Sequence, residues 1–469
     1  MNKRYTCPTL LVITLLAAGL RLWRLGDVPP GLWWDEGHHD WAALNILEGG
    51  PHPIYFTEAT GFEPLHIYLT ALWFRLFGVH YLGTRWVSAL AGALTIPALH
   101  WTAVEWLSDN VGRARARVIG LLAAATLSTL FAHLLQSRIG FEVMLAPAGN
   151  VPTMAALGRG LRTQHARWFA LTGLMLGLTV YSGPAARAAP LIVVAWIVLL
   201  LLLDRPALRA VWPYLALLAA IAVVTYAPLG LFFWHHPDWF TGRMSYVSSG
   251  VRSGWLPLLA SAWRTLLGLM VHGDTYPRHN LPGRPLLDPV QAVLFLVGLG
   301  AVLWRARHRS RAKGMLFIPL WLLVGLLPSA LSDGAPSFTR GLGATPPAAL
   351  LVALGGEHLW QLGRRRWGRL PPTMLLASAW LTSATLSVSD YFVRYPARPE
   401  IFDAYQVGLW EALTEVREAS QSGPAYLTPV NNGASHPTVD FVLRTTPQIR
   451  HYDGRVCQVF PQRAEQDVT

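Results

Sequence analysis

Apolar runs of close to twenty residues recur along the chain as far as about residue 390, separated by short polar stretches. That length matches the roughly 20 residues a helix needs to cross the hydrocarbon core of a bilayer. The first run is Pro8 to Leu25, preceded by Lys3 and Arg4. Ten more follow, at roughly 84–107, 118–135, 142–158, 168–182, 186–203, 211–234, 288–304, 314–332, 342–362 and 371–390. One further apolar piece, Pro64 to Gly78, is only 15 residues long and contains His66 and Arg75. It suits a helix lying at an interface better than a span. No small-residue cleavage site follows the first run, so it reads as an anchor rather than a removed signal.

The basic residues decide the threading. If Pro64–Gly78 does not span, the arginines at 113, 115 and 117, at 159, 162 and 167, at 205 and 209, from 305 to Lys313, and at 364, 365, 366 and 369 all fall on the side of the N-terminus. If it spans, all of them cross over. Basic loops stay cytoplasmic, so the first threading is favoured: eleven spans, N-terminus in, C-terminus out. The same parity gathers the polar, histidine-bearing segments outside. These are a first outer loop over 26–84, the stretch from His133 to Glu142, Tyr181 to Arg187, a long outer loop over 235–288, and Ser332 to Arg340.

The long outer loop holds an amphipathic piece near Trp255–Met270 and then a turn-rich stretch from Val271 to Gly283. After Tyr391 the composition becomes that of a soluble segment. A helix is expected over Phe402–Ser420, strands at Ala425–Thr428 and Val456–Phe460, and a helical piece near Val439–Arg444 between them. Residues 391–469 are few for an independent core, so they are expected to pack on the outer face as a lid or acceptor-side module. The fold class is thus an all-α polytopic membrane domain over 1–390 with a small α/β extracytoplasmic segment.

Composition adds exclusions. The chain is 52% hydrophobic, and its net charge of +12 would suit a nucleic-acid binder. The arginines, however, sit in short clusters between apolar runs, so topology accounts for them and no nucleic-acid partner is expected. Cys7 and Cys457 lie on opposite sides by this threading, so no disulfide is expected. No CxxC, HExxH or glycine-rich phosphate loop occurs, and no protein-built metal site is indicated.

The concentrated chemistry is Trp33-Trp34-Asp35-Glu36-Gly37-His38-His39-Asp40-Trp41, directly after the first span. Acids at a membrane boundary are costly unless water, a cation or a substrate uses them. Asp35 suits a general base, or else the cap of the helix that follows. Glu36 suits an orienter of an arginine or a cation ligand, or else a first-turn acid favoured by the helix dipole. His38 and His39 cannot face one way on a helix, so at most one would join a metal. Arg138 and Glu142 have the spacing of an i,i+4 pair, either structural or set toward an anion. Arg340, just ahead of a late helix, is a phosphate-binding candidate. Glu63 and His66 open the short interfacial helix and either could contact acceptor or sugar, or else be a first-turn acid and a packed histidine. Arg243, His272, Asp274, Arg278 and His279 in the long loop could shape a sugar pocket, or form a turn network. Arg187 belongs with them.

Four stretches carry a family resemblance: the Asp35-Glu36 pair; Glu63-Pro64-Leu65-His66-Ile67-Tyr68 with Leu76-Phe77-Gly78 and Arg85; Ser137-Arg138 with Glu142; and Pro336-Ser337-Phe338-Thr339-Arg340. In their order and spacing, across residues 1–390, the chain resembles the GT-C glycosyltransferases. It is similar in particular to the dolichyl-phosphate-mannose protein mannosyltransferases and the bacterial lipid A aminoarabinose transferase. The resemblance implies transfer of one sugar from a polyprenyl-phosphate donor to a lipid, glycan or protein acceptor on the outer face, with inversion. It implies Asp35 as the catalytic acid of its pair, and Arg138 facing the donor phosphate with Glu142 holding it. It implies a bacterial plasma membrane, requires no cofactor, and leaves room for a divalent cation. Two other readings stand beside it. A lipid or polysaccharide transporter would place charges within its helices, whereas here they gather at one face. An O-antigen ligase-like enzyme with a diphosphate-linked donor would use arginine and histidine of a large loop, such as His272–His279.

Overall fold

A computed structural model describes residues 3–452 except 59, 249, 309–313, 424 and 429–435; at 3, 4, 243, 244, 246, 247, 252 and 451 the backbone alone is described. Helix α1 (Lys3–Leu22) is followed by two shorter helices, α2 (Trp34–Leu47) and α3 (Leu65–Phe77). The bundle continues through α4 (Gly83–Val111), α5 (Arg113–Thr129), the short α6 (Phe131–Gln136), α7 (Leu145–Thr163), α8 (Ala166–Thr179), α9 (Ala188–Leu203) and α10 (Arg205–His235). The long loop contains α11 (Pro237–Val247) and α12 (Trp255–Gly268). Helices α13 (Pro289–His308), α14 (Phe317–Ala330), α15 (Thr345–Trp367) and α16 (Leu370–Ser389) complete the bundle. Every expected span has its helix, and the 15-residue piece becomes the short α3.

Five segments are long and apolar enough to cross a membrane on length and composition alone: Tyr5–Leu22, Gly83–Val111, Pro184–Leu203, Arg205–His235 and Pro289–His308. The chain is a multi-pass helical membrane protein. The other long helices are shorter or less apolar, and α15 shows why that suffices. Its residues from Thr345 to Glu357 are all buried, so it meets protein rather than lipid.

Small residues set the tightest contacts. A Cβ at Gly298 would stand 1.9 Å from Leu351 O, and one at Gly355 1.8 Å from Leu294 O. Helices α13 and α15 therefore touch backbone to backbone, as small residues allow in membrane bundles. In the main core Trp106 stacks on Phe317 at 3.7 Å, with Trp196 edge-on to both. At the end carrying the arginine clusters, Glu105 binds Arg159 (3.0 Å) and Arg162, and Arg115 binds Glu357 (2.7 Å). These pairs tie α4 to α7 and α5 to α15.

After a π-helical turn at Asp390–Arg394 come α17 (Pro399–Ala404), α18 (Val407–Ala419), β1 (Ala425–Leu427), α19 (Pro437–Thr445) and β2 (Ile449–His451). The strands pair in parallel. The single helix expected over Phe402–Ser420 is broken at Tyr405–Gln406, where Gln406 takes a positive φ of 51°. The strand expected at Val456–Phe460 lies outside the described residues, as does Cys457.

The described part of the post-membrane segment packs on the first outer loop. Leu413, Leu427, Val439, Phe441, Val442 and Ile449 share one core with Ala42–Leu44 of α2 and with Ile67 and Phe74 of α3. A Cβ at Gly37 would come within 2.3 Å of Thr438 Oγ1, so the start of α19 rests directly on α2. The hydrophobic face of α19 finds its cover there, and the segment backs the acidic helix from behind.

Candidate active site

Trp33 and the first turn of α2, the α6–α7 connection, the α8–α9 connection, α11, the turn-rich part of the long loop, the end of α14 and the 334–340 segment after it converge on one cavity of about 900 Å³. Its titratable lining residues include Asp35, Glu142, Arg187, Asp274, Arg278, His279 and Arg340. Residues from five separate polar segments of the sequence thus meet in one place. One flank is apolar: Ala188 and Leu191 of α9 and Leu327, Pro328 and Leu331 near the end of α14. Leu191 and Leu331 are about half exposed on the outside of the bundle, so that flank is continuous with the apolar helix surface.

Asp35 and Glu36 take opposite fates. Helix α2 begins at Trp34 with Trp33 as its N-cap residue, so Asp35 stands inside the first turn and does not cap. It faces the cavity. Glu36, one residue and about 100° further round the helix, is fully buried. Its carboxylate takes Arg85 Nε at 2.8 Å and Nη2 at 3.0 Å, Gly140 N–H at 2.7 Å and Trp33 N–H at 3.1 Å. Burial alone would raise its pKa. The Arg85 charge and these donors outweigh that and hold it below the usual carboxylate range. Glu36 therefore orients an arginine and does not line the cavity. His38 and His39 both pack on Phe62, with ring centroids 5.0 and 5.1 Å away; His38 also meets Trp41, and His39 lies 3.8 Å from Glu142. Asp40 accepts from Thr84 N–H at 3.2 Å.

Arg138 is the largest departure from expectation. It makes no pair with Glu142, because the helix stops at Gln136 and Glu142 opens a separate 3-10 turn. Its guanidinium is fully buried. It donates to Leu20 O (2.7 Å), Arg21 O (2.8 Å), Arg24 O (3.0 Å), Val28 O (2.8 Å) and the Tyr391 hydroxyl (3.1 Å). A guanidinium has five N–H donors, and here they close off the carbonyls at the end of α1. Glu142 does line the cavity.

The long loop supplies what the second loop does not. The Arg278 guanidinium lies 3.4 Å from the Trp33 ring centroid, and Nε donates to Ala404 O at 3.0 Å. Its two terminal nitrogens carry no hydrogen bond to the described residues, and Arg278 lines the cavity. Asp35 is among the charges that offset the burial of Arg278. Asp274 joins two loops, accepting Tyr276 N–H and Phe338 N–H, each at 2.9 Å. Burial pushes its pKa up to about 6, while those bonds and Arg340 pull the other way. His279 is pushed down to about 3 by burial and by Arg278 and Arg340, so it is neutral at pH 7. His272 is exposed and outside the lining. Arg243 falls in α11, but its side chain lies outside the described residues.

Glu63 reaches the site indirectly. It pairs with Arg187 at 2.9 Å, and Arg187 lines the cavity. His66 is buried against Ser88 at 3.1 Å and does not reach it. Two residues that carried no motif complete the frame. Gln136 bonds both His279 O and Thr339 Oγ1 at 3.2 Å. Trp33 carries the Arg278 stack, and its only signal in the sequence was its place beside the acid pair. Among the described residues no three of His, Cys, Asp or Glu gather as a metal-ligand set.

No family model matches the chain, and no curated protein sequence matches it. Solved structures do. The apo oligosaccharyltransferase of Archaeoglobus fulgidus is similar over 90% of this chain and 60% of its own length, with 15% identity and a TM-score of 0.56. The same organism's AglB, in complex with an inhibitory peptide and a dolichol-phosphate, gives a TM-score of 0.51 at 15% identity over 89% of this chain and 58% of its own. ArnT from Cupriavidus metallidurans, bound to undecaprenyl phosphate, gives 0.56 at 15% identity over 94% and 84%. This chain therefore spans under two thirds of the archaeal enzyme and most of ArnT. At that identity the likeness is one of fold: the chain has the GT-C fold.

Proposed function

We propose that this GT-C-fold chain is a membrane glycosyltransferase that moves a sugar from a polyprenyl-phosphate-linked donor to an acceptor hydroxyl or amide outside the cytoplasm. One observation carries the reading. A single cavity is lined by a carboxylate (Asp35), two arginines (Arg278, Arg340), and an apolar flank continuous with the exposed apolar helix surface. A lipid phosphate ester of a sugar needs all three. Bound undecaprenyl phosphate and dolichol-phosphate in two of the similar structures support the donor class.

In this mechanism the polyprenyl chain lies along Leu191, Leu327 and Leu331. The phosphate meets Arg278 and Arg340, which bind it by charge-assisted hydrogen bonds. Asp35 takes the proton of the acceptor as its oxygen or nitrogen attacks the anomeric carbon. The bond from that carbon to the phosphate oxygen breaks, its electron pair leaves on the phosphate, and the arginines stabilise the added charge. A single displacement inverts the anomeric centre. Glu142, with His39 behind it, and Asp274 line the remaining wall and suit sugar hydroxyls. Arg187 is held by Glu63. Glu36 and Arg85 fix the first turn of α2, and thereby the direction of Asp35. No step is assigned to a metal. The N-terminus is cytoplasmic and the cavity faces outward, in a bacterial plasma membrane; residues 1–390 form the catalytic domain and 391–469 support it.

The test is transfer from a panel of polyprenyl-phosphate sugars by purified protein in detergent. Asp35→Asn is expected to lower turnover about 100- to 10,000-fold, the usual contribution of a general base, with polyprenyl-phosphate binding retained. Equal turnover in both proteins removes Asp35 from the chemistry. No binding of any polyprenyl phosphate by the wild type overturns the reading.

A further inference from the structure

Arg278 is gripped from outside the membrane domain. The carbonyl of Ala404 accepts its Nε. Two fully buried tyrosines, Tyr395 and Tyr405, hold its backbone. The Tyr395 hydroxyl donates to Pro277 O at 2.9 Å and lies 3.3 Å from Arg278 O. The Tyr405 hydroxyl donates to Arg278 O at 3.0 Å. The two hydroxyls are themselves 3.0 Å apart. Each phenol has one proton, so the pair has two protons for two carbonyls, with a reserve geometry if either proton is withdrawn. Tyr405 is seated in turn by the acidic loop: a Cβ at Gly31, whose φ is +71°, would meet Tyr405 O at 2.5 Å. The cradle thus joins the post-membrane segment, the long loop and the turn ahead of Asp35.

We propose that Tyr395 and Tyr405 are positioning residues that set Arg278 against the donor phosphate, so that the segment after the last span controls donor binding without lining the cavity. This rests on the reading of Arg278 as a phosphate ligand. Hydroxyls buried at this depth are unusual unless bonded, and here they are spent on two successive carbonyls, Pro277 O and Arg278 O, on either side of the Arg278 Cα. The cation–π stack on Trp33 fixes the plane of the guanidinium. The tyrosine pair fixes its height. Arg278 and Asp35 line the same cavity.

The experiment measures binding of undecaprenyl phosphate to full-length protein in detergent. It compares wild type, Tyr405→Phe, Tyr395→Phe/Tyr405→Phe, Arg278→Gln and the triple variant, with thermal midpoints recorded alongside. Tyr405→Phe is expected to weaken binding about twofold, because Tyr395 can turn to Arg278 O. The double variant is expected to weaken it about tenfold, and the triple variant no further than Arg278→Gln alone, since the tyrosines act through that side chain. The loss should appear in donor KM rather than acceptor KM. A double variant that binds like wild type, or one whose loss multiplies with that of Arg278→Gln, overturns the proposal while leaving Arg278 as a phosphate ligand. A normal affinity in Arg278→Gln overturns both. A lowered midpoint with unchanged affinity of the folded protein marks the tyrosines as structural only and also overturns it.

Discussion

The segment Phe131–Met144 and the long loop 235–288 each contribute an arginine beside the acidic helix, and the two arginines do opposite work. Arg138 is enclosed by four backbone carbonyls and a tyrosine hydroxyl. All its donors are spent inside the protein, so it fastens the end of α1 to the bundle. Arg278 spends one donor on Ala404 O and stacks on Trp33; its two terminal nitrogens make no hydrogen bond to the described residues, and the residue lines the cavity. The contrast shows that a buried cation is a functional candidate only to the extent that its donors are unspent. A guanidinium saturated by carbonyls is a fastener, whatever its distance from the site.

The largest effect expected on this contrast is at Arg138. Arg138→Gln leaves several buried carbonyls without donors and should cost more than about 3 kcal/mol of stability. The variant should be lost in yield and thermal midpoint, with any surviving protein binding polyprenyl phosphate normally. A well-folded variant with weakened donor binding would return Arg138 to the site. Glu36→Gln should resemble it, because the neutral amide leaves Arg85 buried without its counter-ion. A loss of about 3 kcal/mol or more is expected, read as a lowered midpoint. Arg278→Gln is the opposite case: donor affinity should fall about ten- to hundredfold, as for loss of charge-assisted bonds, with the midpoint nearly unchanged.

The smallest effect is at Asp274. Its pKa is pushed up to about 6 by burial, above the ordinary aspartate value near 3.9. Between those values the native state binds more protons than the unfolded chain, so this group makes stability fall as pH rises from about 4 to 6. Thermal midpoints across that interval should show that slope in wild type and lose it in Asp274→Asn. An identical slope in both would place the titration elsewhere.

Much of the fold was legible in the hydrophobic pattern. Each run near twenty residues became a helix, and the 15-residue piece became the short α3, because span length and periodicity are local properties of a chain that must satisfy its backbone within each helix. The broken helix at Tyr405–Gln406 was not legible. Its left-handed residue is glutamine, and the packing of Gly31 on Tyr405 sets that corner. The i,i+4 spacing of Arg138 and Glu142 was misleading for a related reason: the spacing carries meaning only on a continuous helix, and the chain turns between them.

By itself the sequence determined a helical membrane bundle, the polar segments able to carry chemistry, and an acid pair at the start of the second helix. Only the tertiary structure decided which acid of the pair faces the cavity. Adjacent residues on a helix point about 100° apart, and what pins the rotation comes from far along the chain: Arg85 is 49 residues from Glu36, and Gly140 is 104 away. Those partners hold Glu36 to the protein, while Asp35 lines the cavity.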